Sequence, residues 1–565
     1  MAEALPPVTV IIDGQEVRVP KGTLLIEAAK KAGVEIPVFC YHPKMKPVGA
    51  CRMCLVDIQK MPRLQTACTT PVSEGMIVHT RNDRATAGQK AVLELMLANH
   101  PLDCPICDKG GECPLQDNTF KFGLGVSRFT EPKRKLAKAI PLSERIVLDR
   151  ERCIMCYRCV RFQDEIAGDQ ALAAMDRAGT SQIGVLDGET FDSPFSGNTI
   201  DLCPVGALLS RQYRFRARPW DLQRTPSICA GCAVGCNVEL HARDRALQRM
   251  VPRENMAINN EWLCDFGRFD TLPLGIERLR EPAVDGQPTS WAEALESAAE
   301  LLRSGPTEVI VSPSITNEAL NAATTIAREL KAGLGVWPAT TGQVRRTIQD
   351  LVTSKTIILL GLDVWRALPV LALRVREALK AGGKLYFVGA GANGLWRDTS
   401  ATFATVEELV QALTHDGALP QPISILGWGA DALGDELAAE GMVGSPATAA
   451  NGAAMTGLPK ATFEAPVQLL VGNEDWPLRS SASARIQLRW SAAGDAADRP
   501  SIVLPLAHPY EQTGSLINLE GTVQQLHPGA AAPAAAHPDW LALAELAEAL
   551  HISAAPDMET NAALA

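Results

Sequence analysis

The amino-acid sequence predicts a multidomain protein of the α+β and α/β classes. Three observations support this prediction. The chain has 565 residues, which is too long for a single hydrophobic core. All 15 cysteines lie between Cys40 and Cys264, so the first part of the chain differs in kind from the rest. In that remainder, helical stretches alternate with apolar strand candidates, as is typical of a mostly parallel sheet, at 308–312, 355–360, 384–388 and 467–472.

The composition narrows the class of function. Hydrophobic residues make up 46% and charged residues 21%, which is ordinary for a globular protein. A formal net charge of −10 argues against a general nucleic-acid binder. The apolar stretch 356–375 is interrupted by Asp363, Arg366 and Pro369, so it predicts a buried strand and helix rather than a membrane span. The first ten residues lack a secretory signal, which predicts a cytoplasmic chain.

The cysteines predict bound metal. An odd number of closely spaced cysteines fits a disulfide framework poorly, and in a cytoplasmic chain such clusters more often bind metal.

The first group is Cys40, Cys51, Cys54 and Cys68. It follows a predicted strand, an Asp13-Gly14 turn, a second strand and an amphipathic helix. This order resembles the β-grasp ferredoxins, whose cysteine loop holds a [2Fe–2S] cluster. The alternative is a zinc site with four cysteine ligands.

The second group, Cys104, Cys107 and Cys113, has only three cysteines. The preceding helix must end near His100 because Pro101 follows, so His100 is placed at the mouth of the loop. We interpret His100, Cys104, Cys107 and Cys113 as one [4Fe–4S] site. A neutral imidazole carries one negative charge fewer than a thiolate, so we expect His100 to raise the potential of this site, the direction seen in Rieske centres.

The third group is the C-x2-C-x2-C run of Cys153, Cys156 and Cys159. Bacterial ferredoxins complete such a run with a Cys-Pro pair, and the candidate here is Cys203-Pro204. The fourth group is Cys229, Cys232, Cys236 and Cys264, which by itself could also be structural zinc. Four sites of four ligands need sixteen donors, and the 15 cysteines with His100 supply them with none left over.

The order of these four groups resembles the large iron–sulfur subunit of respiratory complex I, over residues 1 to about 275. The resemblance implies one 2Fe-2S cluster and three 4Fe-4S clusters, without substrate catalysis on this chain alone. It implies a flavin- and NADH-binding partner subunit, a small 2Fe-2S subunit and the iron–sulfur subunits of a quinone module. The location implied is peripheral, on the cytoplasmic face of the inner membrane, with no membrane span in this chain.

The domains expected from this resemblance differ in their cluster type. They are a β-grasp 2Fe-2S domain at 1–80, a His/Cys 4Fe-4S domain at 81–140, a bacterial-ferredoxin-like 4Fe-4S domain at 141–220, a molybdopterin-oxidoreductase-type 4Fe-4S domain at 221–280, and a degenerate molybdopterin-oxidoreductase-like α/β scaffold at 281–565.

The scaffold prediction depends on a signature and on a missing ligand. Residues 508–524 resemble the E-x2-G-x3-N-x-E-G-x2-Q signature of the molybdopterin oxidoreductases, here Glu511, Gly514, Asn518, Glu520, Gly521 and Gln524. No cysteine follows Cys264 to serve as a molybdenum ligand, so no molybdopterin is expected, although a serine ligand is still an alternative.

Three other functions are alternatives to an electron-transfer subunit of complex I. The first is the iron–sulfur subunit of an NAD-linked formate dehydrogenase or hydrogenase, the second a catalytic molybdenum enzyme, and the third a zinc scaffold. Six arginines surround the third group and predict either partner docking or compensation of cluster charge, namely Arg158, Arg161, Arg211, Arg214, Arg216 and Arg218.

Three further segments yield structural predictions. The G-x-G-x-x-G pattern at Gly389, Gly391 and Gly394 lacks a helix start and predicts a strand-to-loop turn rather than a dinucleotide site. The Ala/Pro-rich stretch 527–540 predicts an exposed, extended linker, and the tail 556–565 predicts poor order.

Overall fold

The protein is seen in a computed structural model, which describes residues 6–186, 188–338, 344–390, 394–415, 419–427, 429–474, 476, 482–492 and 500–553. Contacts between Cα atoms divide the chain into two compact units, Met1–Asp221 and Leu222–Ala565. Each unit has its own sheets, and each is described separately below.

The first unit combines short strands with short helices. Its strands are β1 (Pro7–Ile12), β2 (Gln15–Pro20), β3 (Leu55–Ile58), β4 (Gln65–Thr66), β5 (Met76–His79), β6 (Ile140–Pro141), β7 (Ile146–Leu148), β8 (Ala173–Met175), β9 (Gln182–Gly184) and β10 (Leu208–Ser210). Its α-helices are α1 (Leu25–Lys31), α2 (Asp83–Ala98), α3 (Pro114–Phe122), α4 (Arg158–Arg161) and α5 (Asn198–Leu202).

The N-terminal sheet has the predicted β-grasp arrangement. Its strand order is β2-β1-β5-β3-β4, with β1 antiparallel to β2 and parallel to β5. The turn between β1 and β2 needs positive φ at Asp13 (47°) and Gly14 (85°), which these two residue types tolerate well. Cys54 and Cys68 belong to the same buried cluster as the apolar face of α1, so the core of this sheet extends into the first cysteine loop.

Helix α2 leads to the second cysteine group. The Asn82 side chain caps its first turn by accepting a hydrogen bond from the Ala85 N–H at 2.9 Å. The helix ends at Ala98, two residues before His100, as the following Pro101 requires. Helix α4 begins within the third cysteine group and continues into one π-helical segment, Phe162–Ala167.

The second unit contains two open sheets, a small N-terminal meander and a two-stranded antiparallel sheet. Its strands are β11 (Gln223–Ile228), β12 (Asn237–Arg243), β13 (Ala246–Pro252), β14 (Ala283–Val284), β15 (Gln287–Pro288), β16 (Thr307–Val311), β17 (Gly333–Val336), β18 (Val344–Arg345), β19 (Thr356–Leu360), β20 (Lys384–Val388), β21 (Thr399–Phe403), β22 (Ile423–Gly427), β23 (Val443–Gly444), β24 (Val467–Val471), β25 (Ala484–Arg489), β26 (Ile502–Pro505), β27 (Gly514–Ile517) and β28 (Val523–Leu526).

Helices cover these sheets. They are α6 (Trp291–Arg303), α7 (Asn317–Glu329), α8 (Ile348–Thr353), α9 (Val364–Ala367), α10 (Pro369–Lys380), α11 (Val406–His415), α12 (Ala430–Glu436) and α13 (Asp539–Ala549). One sheet has the order β15-β14-β26-β25-β24-β16-β17 and the other β18-β23-β22-β19-β20-β21, and the central pairs of both are parallel. The predicted α/β class is confirmed. Strands β16 and β19 are buried along their whole length. One face of β16 packs against α6, α7 and α13, and on the other face Ile310 packs against Ala461, Phe463 and Trp476.

One sequence-based expectation in this unit is wrong. The stretch 527–540 packs against the α/β core instead of forming an exposed linker. The indole N–H of Trp291 donates to the Ala535 carbonyl at 2.7 Å, and the His537 ring stacks on Trp291 with centroids 4.0 Å apart. The backbone N–H of His537 donates to the Pro505 carbonyl, so this extended segment forms a backbone hydrogen bond with the end of β26.

Of two other expectations, one falls partly and the other wholly outside the described residues. Gly391 of the G-x-G-x-x-G pattern and the tail 556–565 lie in parts of the chain that the structure does not describe. Gly389 follows β20 with a φ of 133°, and the next described helix begins only at Val406. In the described ranges, none of the helices has the length and apolar character needed to cross a bilayer.

Candidate metal centres

The first cysteine group forms a compact set of thiols in the loop after α1. Cys40, Cys51, Cys54 and Cys68 are all buried. The Cys40 N–H donates to the Cys51 Sγ at 3.4 Å. Hydrogen bonds from Cys51 and Cys68 lower the pKa of Cys40 far below its ordinary value, and a hydrogen bond from Cys68 lowers the pKa of Cys54. The four predicted ligands therefore lie together, and two of them are favoured as thiolates, the form that binds metal.

The second group surrounds a single cavity of about 210 Å³. His100, Cys104, Cys107 and Cys113 all line it, so the structure brings the imidazole together with the three thiols as the sequence predicts. Cys107 and Cys113 are buried, whereas Cys104 is exposed at the edge. One nitrogen donor and three sulfur donors around a cavity are a suitable ligand set for an iron–sulfur cluster.

The protonation state of His100 suits a ligand. Burial, followed by the positive charge of Arg152, lowers the pKa of His100 to about 4. The imidazole is therefore neutral near pH 7, and only the neutral ring has a lone pair for a metal. Arg152 is itself held by carboxylates, since it lies 2.9 Å from Asp103 and 3.3 Å from Asp149. Its positive charge next to the cavity is thus fixed in position.

A clamp that the sequence analysis did not identify holds the Cys104–Cys107 loop. The Arg218 guanidinium donates to the carbonyl oxygen of Cys107 at 2.6 Å and also to that of Pro105. Arg218 was one of six clustered arginines in the sequence, and nothing in its spacing distinguished it from the other five. The contact spans more than a hundred residues, so only the fold reveals it.

In the third group, the fold places Cys203 close to the C-x2-C-x2-C run, as the Cys203-Pro204 pair predicts. Burial raises the pKa of Cys153 to about 11 and that of Cys156 to about 12, and the charge of Cys203 contributes to both increases. Cys203 also acts on Cys159, whose pKa burial raises even further. Cys203 follows the last residue of α5, so this short helix places the fourth thiol. Buried thiols that repel one another need a bound cation to become thiolates together.

The residues after Cys203 touch the second group. The Cys113 thiol donates to the Pro204 carbonyl across 3.6 Å. A Cβ placed on Gly206 would come within 2.1 Å of the Cys107 Sγ, so the backbone at Gly206 lies directly against that sulfur. The segment from Cys203 to Gly206 therefore contributes to the third group with its first residue and to the wall of the second group with its later residues.

Two arginines of α4 connect the third group to the first. Arg158 donates to the carbonyl oxygens of Tyr41 and Leu202, the neighbours of Cys40 and Cys203. Arg161 donates to the Cys40 carbonyl at 2.8 Å and pairs with Glu165 at 3.3 Å. The order of contact within the first unit is thus first, third and second group, which differs from their order along the chain.

The fourth group is built in the second unit by one hairpin and one helical turn. Cys229, Cys232, Cys236 and Cys264 are all buried, and burial raises the pKa of each. The Cys229 N–H donates to the Cys236 carbonyl at 2.8 Å, which closes the cysteine loop. The sulfurs of Cys229 and Cys264 lie 2.9 and 3.6 Å from the position that a Cβ on Gly267 would occupy. A side chain at this position would clash with the Cys229 sulfur, so glycine leaves room for that thiol.

The signature at 511–524 supports this fourth group. The Gln524 side chain donates to the Gly235 carbonyl at 2.9 Å, and the Leu519 N–H donates to the Ala233 carbonyl at 2.7 Å. The fully buried Tyr510 accepts a hydrogen bond from the Ala230 N–H at 3.1 Å, and its hydroxyl lies 3.9 Å from the Cys229 Sγ. Sequence reasoning missed Tyr510 because it is not one of the signature residues.

A site for a single metal ion needs at least three ligand side chains that converge on one point. In the ranges that the structure describes, no group of three or more His, Cys, Asp or Glu residues is arranged to hold one metal ion. The donor sets themselves, thiols with one imidazole in groups of four, have the chemistry that [2Fe–2S] and [4Fe–4S] clusters require.

Four family models match the chain in the order of the cysteine groups. They are described as a 2Fe-2S iron-sulfur cluster binding domain (6–83), an NADH-ubiquinone oxidoreductase-G iron-sulfur binding region (89–128), an NADH-quinone oxidoreductase subunit 3 ferredoxin-like domain (143–209), and an NADH-ubiquinone oxidoreductase NDSU1/NuoG-like 4Fe-4S domain (222–271). Both cluster types are thereby indicated for this chain.

Curated relatives match much of the chain. The NADH-quinone oxidoreductase G subunit of Rickettsia felis is 33% identical over 97% of this chain and 88% of the relative. The corresponding protein of Streptomyces coelicolor is 37% identical over 74% of this chain and 57% of the relative, and that of Mycobacterium tuberculosis is 47% identical over 55% and 40%. This chain thus spans about half the length of the two actinobacterial relatives.

One solved structure is a more distant match. A chain of an NAD+-reducing [NiFe]-hydrogenase in the H2-reduced state is 31% identical, covering 37% of this chain and 90% of that chain, with a TM-score of 0.34. This TM-score is too low to support a conclusion about the fold.

Proposed function

The chain belongs to the family of the NADH-quinone oxidoreductase G subunits, and on that premise we propose that it is an electron-transfer subunit of NADH–quinone oxidoreductase, respiratory complex I. In this proposal it conducts electrons from the NADH and flavin module towards quinone, and proton translocation is a property of the whole complex. The observation that carries the proposal is the gathering of all fifteen cysteines and His100 into four groups of four.

The proposed ligand sets follow from these groups. One [2Fe–2S] cluster is assigned to Cys40, Cys51, Cys54 and Cys68. Three [4Fe–4S] clusters are assigned to the other groups, with His100 as the single nitrogen ligand. Such clusters, when bound, supply one-electron redox chemistry with little rearrangement of their ligands. The domain boundaries near 80, 140, 220 and 280 stay predictions.

The contacts between groups support a route through the first unit. Arg158 and Arg161 bridge the first group to the third, and the Cys203–Gly206 segment bridges the third to the second. Electrons are therefore proposed to pass these sites in the order first, third, second.

The exposed edge of the second group supports the proposal that electrons leave this chain at the second site. Cys104 reaches the surface, and three apolar side chains around its loop are largely in solvent, namely Leu102 (87% exposed), Ile106 (58%) and Phe120 (88%). Exposed apolar side chains clustered at a functional site are typical of an interface with another protein. We assign this apolar rim to an iron–sulfur subunit of the quinone module.

The remaining parts of the complex are also proposed. A flavin- and NADH-binding subunit and a small 2Fe-2S subunit are expected to supply the electrons, and the chain is expected to be peripheral, on the cytoplasmic face of the inner membrane. The α/β part is proposed to be a scaffold without molybdopterin, because its signature residues are engaged within the chain. Glu511 forms a two-point ion pair with Arg278 at 2.6 and 2.7 Å, and Glu520 accepts the Ile348 N–H at 2.7 Å.

Purification of the tagged chain from membranes of its own organism tests this function. The expected result is a multisubunit complex that contains flavin and reduces quinone with NADH. A Cys156→Ser variant should assemble poorly or lose this activity, whereas exchange of the exposed Arg328 for Ala should change neither. Recovery with a formate- or hydrogen-oxidising subunit, and without NADH:quinone reductase activity, would contradict the proposal.

A further inference from the structure

Arg158 lies between two of the cysteine groups. It is placed between Cys156 and Cys159 in the sequence and opens α4. One end of its guanidinium donates to the Tyr41 carbonyl, next to Cys40, and the other donates to the Leu202 carbonyl at 3.4 Å, next to Cys203. A single cation therefore contacts the backbone of both the first and the third site.

The third guanidinium nitrogen of Arg158, Nε, is not used in these contacts. Its Nε–H is shielded from solvent and has no hydrogen-bond acceptor in the described protein. A buried, unpaired guanidinium N–H is costly, so such groups normally face an acceptor. Among its surroundings, the thiols with the largest electrostatic effect on Arg158 are Cys156 and Cys203 of the third site and Cys40 and Cys51 of the first.

The charge of Arg158 is also uncompensated by carboxylates. In the described residues its contacts include no ion pair, whereas the neighbouring Arg161 is paired with Glu165 at 3.3 Å and Arg152 is held between Asp103 and Asp149. The positive charge of Arg158 is thus available to the two groups of thiolates. Its half-buried position makes the interaction stronger than it would be in water.

We propose that Arg158 is a shared positioning residue that raises the reduction potential of the clusters at both the first and the third site. The inference rests on the proposed function, because it requires clusters at these two sites. A fixed positive charge stabilises the reduced, more negative state of a nearby cluster, and hydrogen bonds towards its sulfurs act in the same direction. Arg158 brings both sites within reach of the same charge, so its removal affects two potentials together.

The test is a redox titration of the purified complex, followed by low-temperature paramagnetic resonance. The variant is Arg158→Gln, which removes the charge but retains an amide donor. Arg158→Lys retains the charge, and Arg161→Gln is the matched control, because Glu165 already balances Arg161. At an ambient potential equal to the wild-type midpoint of each site, clearly less than half of both clusters should be reduced in Arg158→Gln.

The controls separate charge from structure. Arg158→Lys should restore most of the reduced fraction at both sites, and Arg161→Gln should shift it much less. The signal of the His100 site, which Arg152 faces, should titrate as in the wild type. If both signals are present in Arg158→Gln and their midpoints are unchanged, or only one of them moves, the inference is overturned while the proposed function stands. Loss of either signal also overturns it, because Arg158 would then serve assembly. Absence of iron signals from the wild type would instead refute the proposed function.

Discussion

The Cys113 thiol donates to the carbonyl oxygen of Pro204 across 3.6 Å, and Pro204 directly follows Cys203. Through this contact a ligand candidate of the second group touches the residue next to a ligand candidate of the third. The same short segment reaches Cys107 at Gly206. A Cys-Pro pair that completes one site therefore also forms part of the wall of another, and changes in this segment should affect the second site.

Gly206→Ala should damage the second site. A Cβ at this position would lie 2.1 Å from the Cys107 Sγ, far inside contact distance, so the sulfur must move. We expect a lower content of the His100-site cluster, measured as loss of its paramagnetic signal per mole of protein. Gly125→Ala is the matched control, since its added Cβ has no neighbour within 4 Å. An unchanged signal in Gly206→Ala would show that the contact is absent in the loaded protein.

Arg218→Ala should destabilise the Cys104–Cys107 loop. The variant loses two hydrogen bonds to the carbonyls of Cys107 and Pro105, and each hydrogen bond to a charged group contributes roughly 1.5–3 kcal/mol. The expected result is faster loss of the His100-site signal on incubation with an iron chelator, with the other signals retained. Arg211→Ala, which removes an exposed arginine, should behave as the wild type. Equal rates in both variants would refute the clamp.

His100→Cys should lower the midpoint potential of the second site. The exchange adds one negative charge to a ligand set that holds a neutral imidazole, and extra negative charge disfavours reduction. The measurement is a potentiometric titration of that signal, with the first and third sites as internal references. A cluster that is retained with the same or a higher potential would contradict the assigned role of His100.

Acidification should destabilise the second unit through His508. Burial lowers the pKa of His508 to about 3 from an ordinary value of 6.5. Between these values the unfolded state binds more protons than the folded state, so stability falls as the pH falls through this range, by at most roughly 1.4 kcal/mol per pH unit. Unfolding by urea between pH 7 and 5 can be followed by tryptophan fluorescence, to which Trp490, packed edge-on against His508 with ring centroids 4.6 Å apart, contributes.

The matched variant is His508→Asn, whose side-chain oxygen can accept the Tyr510 N–H as the His508 Nδ1 does at 3.2 Å. Its unfolding midpoint should depend less steeply on pH than that of the wild type. Parallel pH profiles for the two proteins would show that His508 does not titrate on unfolding.

The cysteine spacing predicts which residues meet, because ligands of one cluster lie close along the chain or follow a known pattern. The β-grasp lead-in, the end of α2 before His100 and the parallel strands after residue 300 are likewise local signals, and the structure confirms them. In each case a short run of side chains is sufficient to specify the element.

Contacts between distant segments were not predictable in the same way. Arg218 on the Cys104–Cys107 loop, Tyr510 beside Cys229 and Arg158 between two groups depend on which segments the fold brings together. The linker prediction at 527–540 failed for a related reason. Alanine and proline are typical of linkers, but Trp291 provides a surface and hydrogen bonds on which this segment packs.

Sixteen side chains are proposed to hold four iron–sulfur clusters. Quantification of iron and acid-labile sulfide in the anaerobically purified protein, with paramagnetic resonance during stepwise reduction, tests this proposal most directly. We predict one binuclear and three cubane signals, with iron and sulfide in equal amounts. A colourless protein that contains zinc and shows no such signals would contradict it.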